Sequence, residues 1–75
     1  MGYSLPAAGP ANVAVYAVDG RLVATLFAGQ VLAGEHRVTW DGRDEAGKRV
    51  APGLYLVRLT APGTDLSRKV VLVSD

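Results

Sequence analysis

The fold of this 75-residue chain is decided by one polar connection, Trp40–Tyr55, which reads WDGRDEAGKRVAPGLY. Residues 35–41, which lead into its start, alternate between apolar and polar side chains, and residues 53–61, which continue from its end, alternate again. Alternation with a period of two is typical of β-strands that bury one face. The connection therefore joins two strands. Its Asp and Gly residues suit a metal site, a binding surface or a structural connector.

The rest of the chain consists of short segments separated by its 9 Gly and 4 Pro residues, and no stretch has helical periodicity. The pattern predicts a hairpin turn at Asp19-Gly20, a loop over 29–34 and a β-bulge near Ala24. Strands are predicted over residues 3–5, 12–18, 21–27, 35–41, 53–61 and 66–73. We therefore predict an all-β fold, a small immunoglobulin-like antiparallel β-sandwich of about six or seven strands.

Length and composition restrict the remaining possibilities. Residues 1–75 suffice for a single domain, and Met1 and Gly2 are interpreted as residues added before the natural sequence. With no Cys there is no disulfide and no thiolate metal site. The formal net charge of +1 gives no reason to expect a nucleic acid partner. No apolar run approaches the ~20 residues of a transmembrane segment.

The sequence offers little catalytic chemistry. His36 is the single imidazole, and it shares a strand face with Val38 and Trp40, so we interpret it as part of a packing surface. The serines, Ser4, Ser67 and Ser74, have no histidine or acid at a catalytic spacing, and no nucleotide or hydrolase motif occurs. We predict that the chain is not an enzyme and that it needs no cofactor.

The carboxylates of the polar connection are the candidate metal ligands, namely Asp41, Asp44 and Glu45. Oxygen ligands on a glycine-bearing loop can bind Ca²⁺, but the spacing of an EF-hand is absent and three basic residues share the loop. We favour turn chemistry, in which Asp side chains accept backbone N–H bonds and Gly47 supplies a left-handed residue. The residues predicted to be structural are Trp40, Asp41, Gly42, Asp44, Gly47, Gly53 and Tyr55.

Trp40 has two possible roles. An exposed indole would provide a stacking surface for sugars, as in small carbohydrate-binding modules. Its strand neighbours are apolar and its face alternates correctly, so we favour a place for Trp40 at the edge of the core beside Tyr55.

Several segments together resemble a known family. They are YSLP at 3–6, VYAVDGRLVATL at 15–26, AGEH at 33–36, WDGRDEAGKRV at 40–50, GLYLVRL at 53–59 and RKVVLV at 68–73. In this order they resemble the type A C-terminal sorting domain of the type IX secretion system. The immunoglobulin-like domain of the flagellar hook-capping protein has a similar pattern.

The resemblance to the sorting domain implies a function. Such a domain is a non-catalytic C-terminal signal on a larger exported protein, often with an upstream catalytic domain. Secretion-machinery proteins at the outer membrane recognise it, and the protein passes through the periplasm to become secreted or attached to the cell surface.

The last predicted strand is the expected recognition element, because an edge strand can pair with another chain. Its residues are Arg68, Lys69, Val70, Val71, Leu72 and Val73. Two alternatives remain: a structural assembly module as in the flagellar hook cap, and an ancillary carbohydrate-binding module.

Overall fold

A computed structural model of the protein describes residues 2–73. Six strands occur among them, and no described residue is helical. Accordingly, this part of the chain has no helix long enough to span a membrane. The strands are β1 (Gly2–Leu5), β2 (Gly9–Ala17), β3 (Leu22–Val31), β4 (Gly34–Arg37), β5 (Gly53–Ala61) and β6 (Thr64–Leu72).

The strands form two antiparallel sheets. The smaller sheet contains β1 and β4, and the larger has the strand order β3-β2-β5-β6. The larger sheet consists of two hairpins, β2–β3 and β5–β6, which meet where β2 pairs with β5. This arrangement confirms the predicted all-β, immunoglobulin-like sandwich.

The core lies between the two sheets and is centred on β2 and β5. Val13, Val15 and Leu59 are fully buried, and Leu5 of the small sheet is 5% exposed. Along β5, Tyr55, Val57 and Leu59 are buried, while the residues between them face outward, as their alternation predicted. Each fully buried aliphatic side chain stabilises the fold by roughly 1.5–3 kcal/mol.

Strand β3 contains two irregularities that flank Ala24. Leu26 has no partner because Val13 lies opposite Phe27 while Ala14 lies opposite Thr25. A second shift leaves Val23 without a partner. The extra residues interrupt the alternation, so Val23 and Ala24 are both buried although they are adjacent. The bulge predicted near Ala24 is therefore confirmed.

Four strands have a predicted boundary that is wrong by two residues or more. Strand β2 begins at Gly9 instead of residue 12, and β6 begins at Thr64 instead of residue 66. Strand β3 continues to Val31, so the first half of the predicted 29–34 loop belongs to the sheet, because residues 29–31 pair with Gly9–Ala11 of β2. Strand β4 ends at Arg37 instead of reaching residue 41. His36, Val38 and Trp40 are all partly buried, so the alternation in burial continues beyond the end of the strand.

The β2–β3 turn also differs from the prediction. The amide of Ala17 donates to the carbonyl of Arg21 at 2.9 Å, and the amide of Gly20 donates to the carbonyl of Ala17 at 3.0 Å. The loop thus has three residues, 18–20, of which Gly20 alone has a positive φ, at 89°. A two-residue type I′ turn would need a positive φ at Asp19 as well, whereas this bulged turn needs it only at glycine.

Candidate interaction surface

The polar connection forms a hydrogen-bonded turn in which Asp44 is the central acceptor. Its Oδ1 accepts the amides of Ala46 and Lys48, both at 3.0 Å. The backbone of Asp44 donates to the carbonyl of Lys48 at 2.8 Å, and Gly47 adopts a φ of 82°. Asp41 Oδ1 similarly accepts the amide of Arg43 at 3.1 Å. These carboxylates act as local hydrogen-bond acceptors, which is the role that turn chemistry assigns to Asp.

The candidate metal ligands do not form a cluster. Asp41 and Asp44 each shape a turn, while Glu45 reaches away to β3. Within residues 2–73, no group of three or more carboxylate or imidazole side chains lies close enough to hold a metal ion.

The same connection covers the outer edge of β3. The amide of Glu45 donates to the carbonyl of Val23 at 3.1 Å. The Glu45 carboxylate in turn accepts the amide of Thr25 through Oε1. Backbone groups at the rim of the sheet therefore obtain partners from a loop twenty residues further along the chain. The sequence pattern did not reveal this contact, because nothing in the alternation indicates which strand a distant loop will meet.

Trp40 and Tyr55 anchor the two ends of the connection. Their rings pack edge to face with centroids 5.1 Å apart, and Trp40 Nε1 donates to the carbonyl of Arg43 at 2.9 Å. Tyr55 Oη donates to the carbonyl of Ala51 at 2.5 Å. A tyrosine bonded to the backbone just upstream of its own strand is the tyrosine corner of immunoglobulin-like sandwiches. Tyr55 is 9% exposed, so it offers no face to a sugar ring.

Two glycines complete the predicted structural set. Gly42 is buried with a φ of 79°, and a Cβ there would lie 3.3 Å from Leu72 Cδ1. A larger residue at Gly42 would therefore strain the backbone and displace Leu72. Gly53 opens β5 opposite Leu72, in an exposed position.

Strand β6, which carries the predicted recognition residues, is an edge strand. It pairs with β5 from Thr64 to Leu72, and its other edge has no partner strand among residues 2–73. Arg68 and Val70 lie opposite Val57 and Tyr55, and therefore on the core-facing side of the sheet. Lys69 and Val71 point to the solvent side. Ser74, considered above as a possible nucleophile, lies outside the described residues.

An open groove of about 650 Å³ separates the small sheet from β6. Residues 2–4 of β1 and 35–37 of β4 line one side, and Leu66 and Arg68 of β6 line the other. His36 stands in this groove with its ring centroid 5.5 Å from that of Tyr3, and its Nε2 lies 2.6 Å from the carbonyl oxygen of Leu32. Both contacts are structural, and they bring no second catalytic group to the imidazole.

One ion pair ties β6 to β5 on the solvent side. Arg58 Nε donates to Asp65 Oδ1 at 3.1 Å and Nη2 donates to Oδ2 at 2.8 Å. These hydrogen bonds, more than simple charge attraction, raise the pKa of Arg58 and lower the pKa of Asp65. In a hairpin that turns at Pro62-Gly63, the side chains of residues 58 and 65 lie diagonally on one face of the sheet. This register could have predicted the ion pair from the sequence.

An apolar region occupies one end of the solvent face of the large sheet. Its members are exposed by 41–68%: Val18, Leu22, Leu54 and Val71. They come from β3, β5, β6 and the β2–β3 turn, because the start of β3 and that turn lie at the same end of the sheet as the start of β5 and the end of β6. The four side chains therefore expose apolar surface at one end of this face.

The chain is similar to proteins of the bacterial flagellum. The sequence model of the FlgD Ig-like domain matches residues 2–65. The basal-body rod modification proteins FlgD of Salmonella typhimurium and Salmonella typhi are each 46% identical over 50 residues, or 64% of this chain. A crystal structure of FlgD from P. aeruginosa superposes with a TM-score of 0.64 at 28% identity over 95% of this chain. The chain spans 22% of the curated relatives and 56% of the solved chain.

These matches overturn the sorting-domain interpretation. The predicted secretion-machinery partners, the exported cargo with its upstream catalytic domain and the secreted or cell-surface location all depended on it and are wrong with it. The error has a physical origin, since the motifs that suggested it include the Asp44 turn and the Trp40–Tyr55 corner, which build the scaffold. Such residues identify a fold shared by proteins of different function. The chain belongs to the FlgD Ig-like domain family.

Proposed function

We propose that the chain is a non-catalytic assembly module that takes part in building the flagellar hook and basal-body rod, the role that the sequence offered as its structural alternative. The match of residues 2–65 to the FlgD Ig-like domain carries this proposal. The similarity to basal-body rod modification proteins supports it. Because the chain spans about a fifth of those relatives, we propose that residues 1–75 act as one domain of a larger assembly protein.

Its partners would be other proteins of the flagellar structure. The edge of β6 offers unpaired backbone groups over Arg68 to Leu72, and the adjoining apolar region adds Val71, which is 68% exposed. Strand addition supplies affinity through main-chain bonds, while neighbouring side chains supply specificity. The net charge of +1 is in keeping with a protein partner, since it brings no strong attraction to nucleic acid.

Nothing in this role requires an active site. In the described part of the chain, Asp41 and Asp44 shape turns, and His36 contacts Tyr3 and a backbone carbonyl. General acid–base catalysis needs such groups within reach of one substrate atom, and here they lie on separate surfaces.

The experiment is an in-frame deletion of residues 2–73 from the gene in its source organism. We expect cells that do not swim and that lack complete hooks in electron micrographs. Val71→Asp should weaken hook assembly, because it places a charge in the apolar region. Leu32→Asp is the matched control, since Leu32 is 76% exposed but lies outside that region. Motile deletion mutants with complete hooks would refute the proposal.

A further inference from the structure

The hydrophobic core extends over only one end of β6. Val57 and Leu59 are 3% and 0% exposed on the core-facing side of β5. Their cross-strand neighbours on β6 are Arg68 and Leu66, and Leu66 is 39% exposed. The cause is the unequal size of the sheets, because two strands lie opposite four. Within residues 2–73, Val70 and Leu72 of β6 pack against the core, whereas Leu66 and Arg68 at the other end of its inner face line the groove described above.

The groove has the dimensions and the edges that an added strand requires. Its volume of about 650 Å³ lies within the range of ligand pockets. Strand β1 lines it and pairs only with β4 in the described chain, so the other edge of β1 has free backbone groups. Because β1 and β6 both line the groove, a strand that adds to β1 within it would lie opposite β6, at about the 10 Å spacing of stacked sheets. It would make the small sheet three-stranded.

The charges in the groove indicate the chemistry of that strand. Arg37 and Arg68 line it together with a single acidic residue, Glu35. The ion pairs in the described chain involve Arg43 and Arg58, so neither groove arginine has a carboxylate partner within residues 2–73. An incoming carboxylate would therefore gain a charge-assisted hydrogen bond.

A second copy of the chain is a poor occupant. Antiparallel pairing of two β6 strands about their central residue would place Arg68 directly opposite Arg68 of the other copy. Like charges directly opposite one another destabilise a strand pair, and charged side chains on edge strands prevent this self-association. Self-pairing of β6 is therefore disfavoured, and we consider a segment of a different sequence as the occupant.

We propose that the groove binds an extended segment of another protein, which adds as a strand beside β1. The segment places an apolar side chain on Leu66 and a carboxylate at Arg68. Leu66 and Arg68 are two residues apart on one face of β6, so the segment carries its apolar and acidic residues two positions apart as well. This inference rests on the proposed function, because it names the chemistry by which a flagellar partner is recognised.

The test is selection of a displayed library of random short peptides on the 75-residue chain. We expect enrichment of peptides with Asp or Glu two positions from Val, Ile or Leu. Amide chemical-shift changes should map to residues 2–4 and 66–68. Arg68→Glu should weaken binding of a selected peptide about tenfold or more, as expected for losing a charged hydrogen bond. Lys69→Glu is the matched control, because it makes the same charge change on the opposite face of β6.

A charge exchange completes the test. A selected peptide whose acidic residue is replaced by lysine should bind Arg68→Glu better than it binds the natural chain. The proposal is overturned if no peptide is enriched, or if selected peptides bind Arg68→Glu and the natural chain equally well. It is also overturned if shifts map to the solvent face of the sheet. Loss of hooks in the deletion strain, with any of these results, would leave the assembly role standing and reject only the groove.

Discussion

Both outer edges of the large sheet have backbone N–H and C=O groups with no partner strand in the described chain, and the two edges are protected in different ways. At β3, the Trp40–Tyr55 connection supplies Glu45, whose backbone and side chain bond to Val23 and Thr25. At β6, no strand or loop of the described chain takes that place, and the edge instead carries Arg68 and Lys69. Unpaired strand edges invite aggregation, and both cover and charge prevent it.

This difference indicates which edge of the large sheet is accessible to a strand of another protein. A covered edge is part of the fold, and opening it costs the contacts that cover it. A charged edge repels copies of itself but accepts a strand of opposite charge. The polar connection that first suggested a metal site therefore closes the β3 side, whereas the β6 edge, which carries Arg68 and Lys69, stays open.

Trp40→Ala should cause the largest loss of stability, because Trp40 holds the start of the connection that covers β3. The substitution removes the edge-to-face contact with Tyr55 and the bond to Arg43. We expect a loss of about 3 kcal/mol, at the low end for large-to-small changes because Trp40 is only partly buried. Urea unfolding measures it. Trp40→Phe keeps a ring and should cost clearly less, so equal losses would contradict this account.

Asp44→Ala should have the next largest effect, because it removes the acceptor of two backbone amides in the turn. We expect a loss of about 1–3 kcal/mol in the free energy of unfolding. Faster hydrogen exchange at the Glu45 amide should accompany it as the connection leaves β3. Asp19→Ala, which removes one acceptor in the β2–β3 turn, is the control. Unchanged Glu45 exchange in Asp44→Ala would show that the turn does not hold the cover in place.

Glu45→Ala tests the cover directly. The Thr25 amide loses its acceptor and can bond to water instead, so the expected cost is only about 0.5–1.5 kcal/mol. The larger consequence should be faster aggregation near the melting temperature, measured by light scattering, because the β3 edge is then open. Glu45→Gln retains an acceptor oxygen and should aggregate less. If all three proteins aggregate at the same rate, Glu45 does not protect this edge.

Asp65→Asn should have the smallest effect, on the β6 side. The lowered pKa of Asp65 means that folding favours its ionised form, so its contribution is present above the pKa of the unfolded chain. That contribution is lost as the pH falls through the folded pKa. Both groups are exposed and solvent screens them, so only a small difference between the two unfolding curves is expected. The curves should converge in strong acid, and a gap that widened there would contradict the assignment.

The sequence predicted strands best where the alternation was strong and locally determined. Strand β5 was correct to the residue, because its buried and exposed faces alternate without interruption. Strand β3 was cut short at Phe27 because Gly29 looked like a loop residue, whereas pairing with β2 carries the strand past it. Strand β4 was overextended because alternating burial continues beyond Arg37, where the strand ends.

The candidate site was harder to predict for a related reason. Positions 68–73 could be placed on the last strand, but the groove depends on which strands lie opposite β6, and this is a property of the whole sandwich. Glu45 was considered only as a metal ligand, because its real neighbour, Thr25, is twenty residues away. Local patterns describe faces and turns, and they do not describe which distant edges meet.

The pairing of β2 with β5 has a kinetic consequence. The two hairpins can form locally within microseconds, but Val15 meets Val57 only after a connection of roughly forty residues has closed. Non-local pairing of this kind makes small β-proteins fold slowly, in milliseconds to seconds. We therefore expect the docking of two preformed hairpins to limit the folding rate. The length of chain between the hairpins would then set how quickly a newly made copy reaches its folded state.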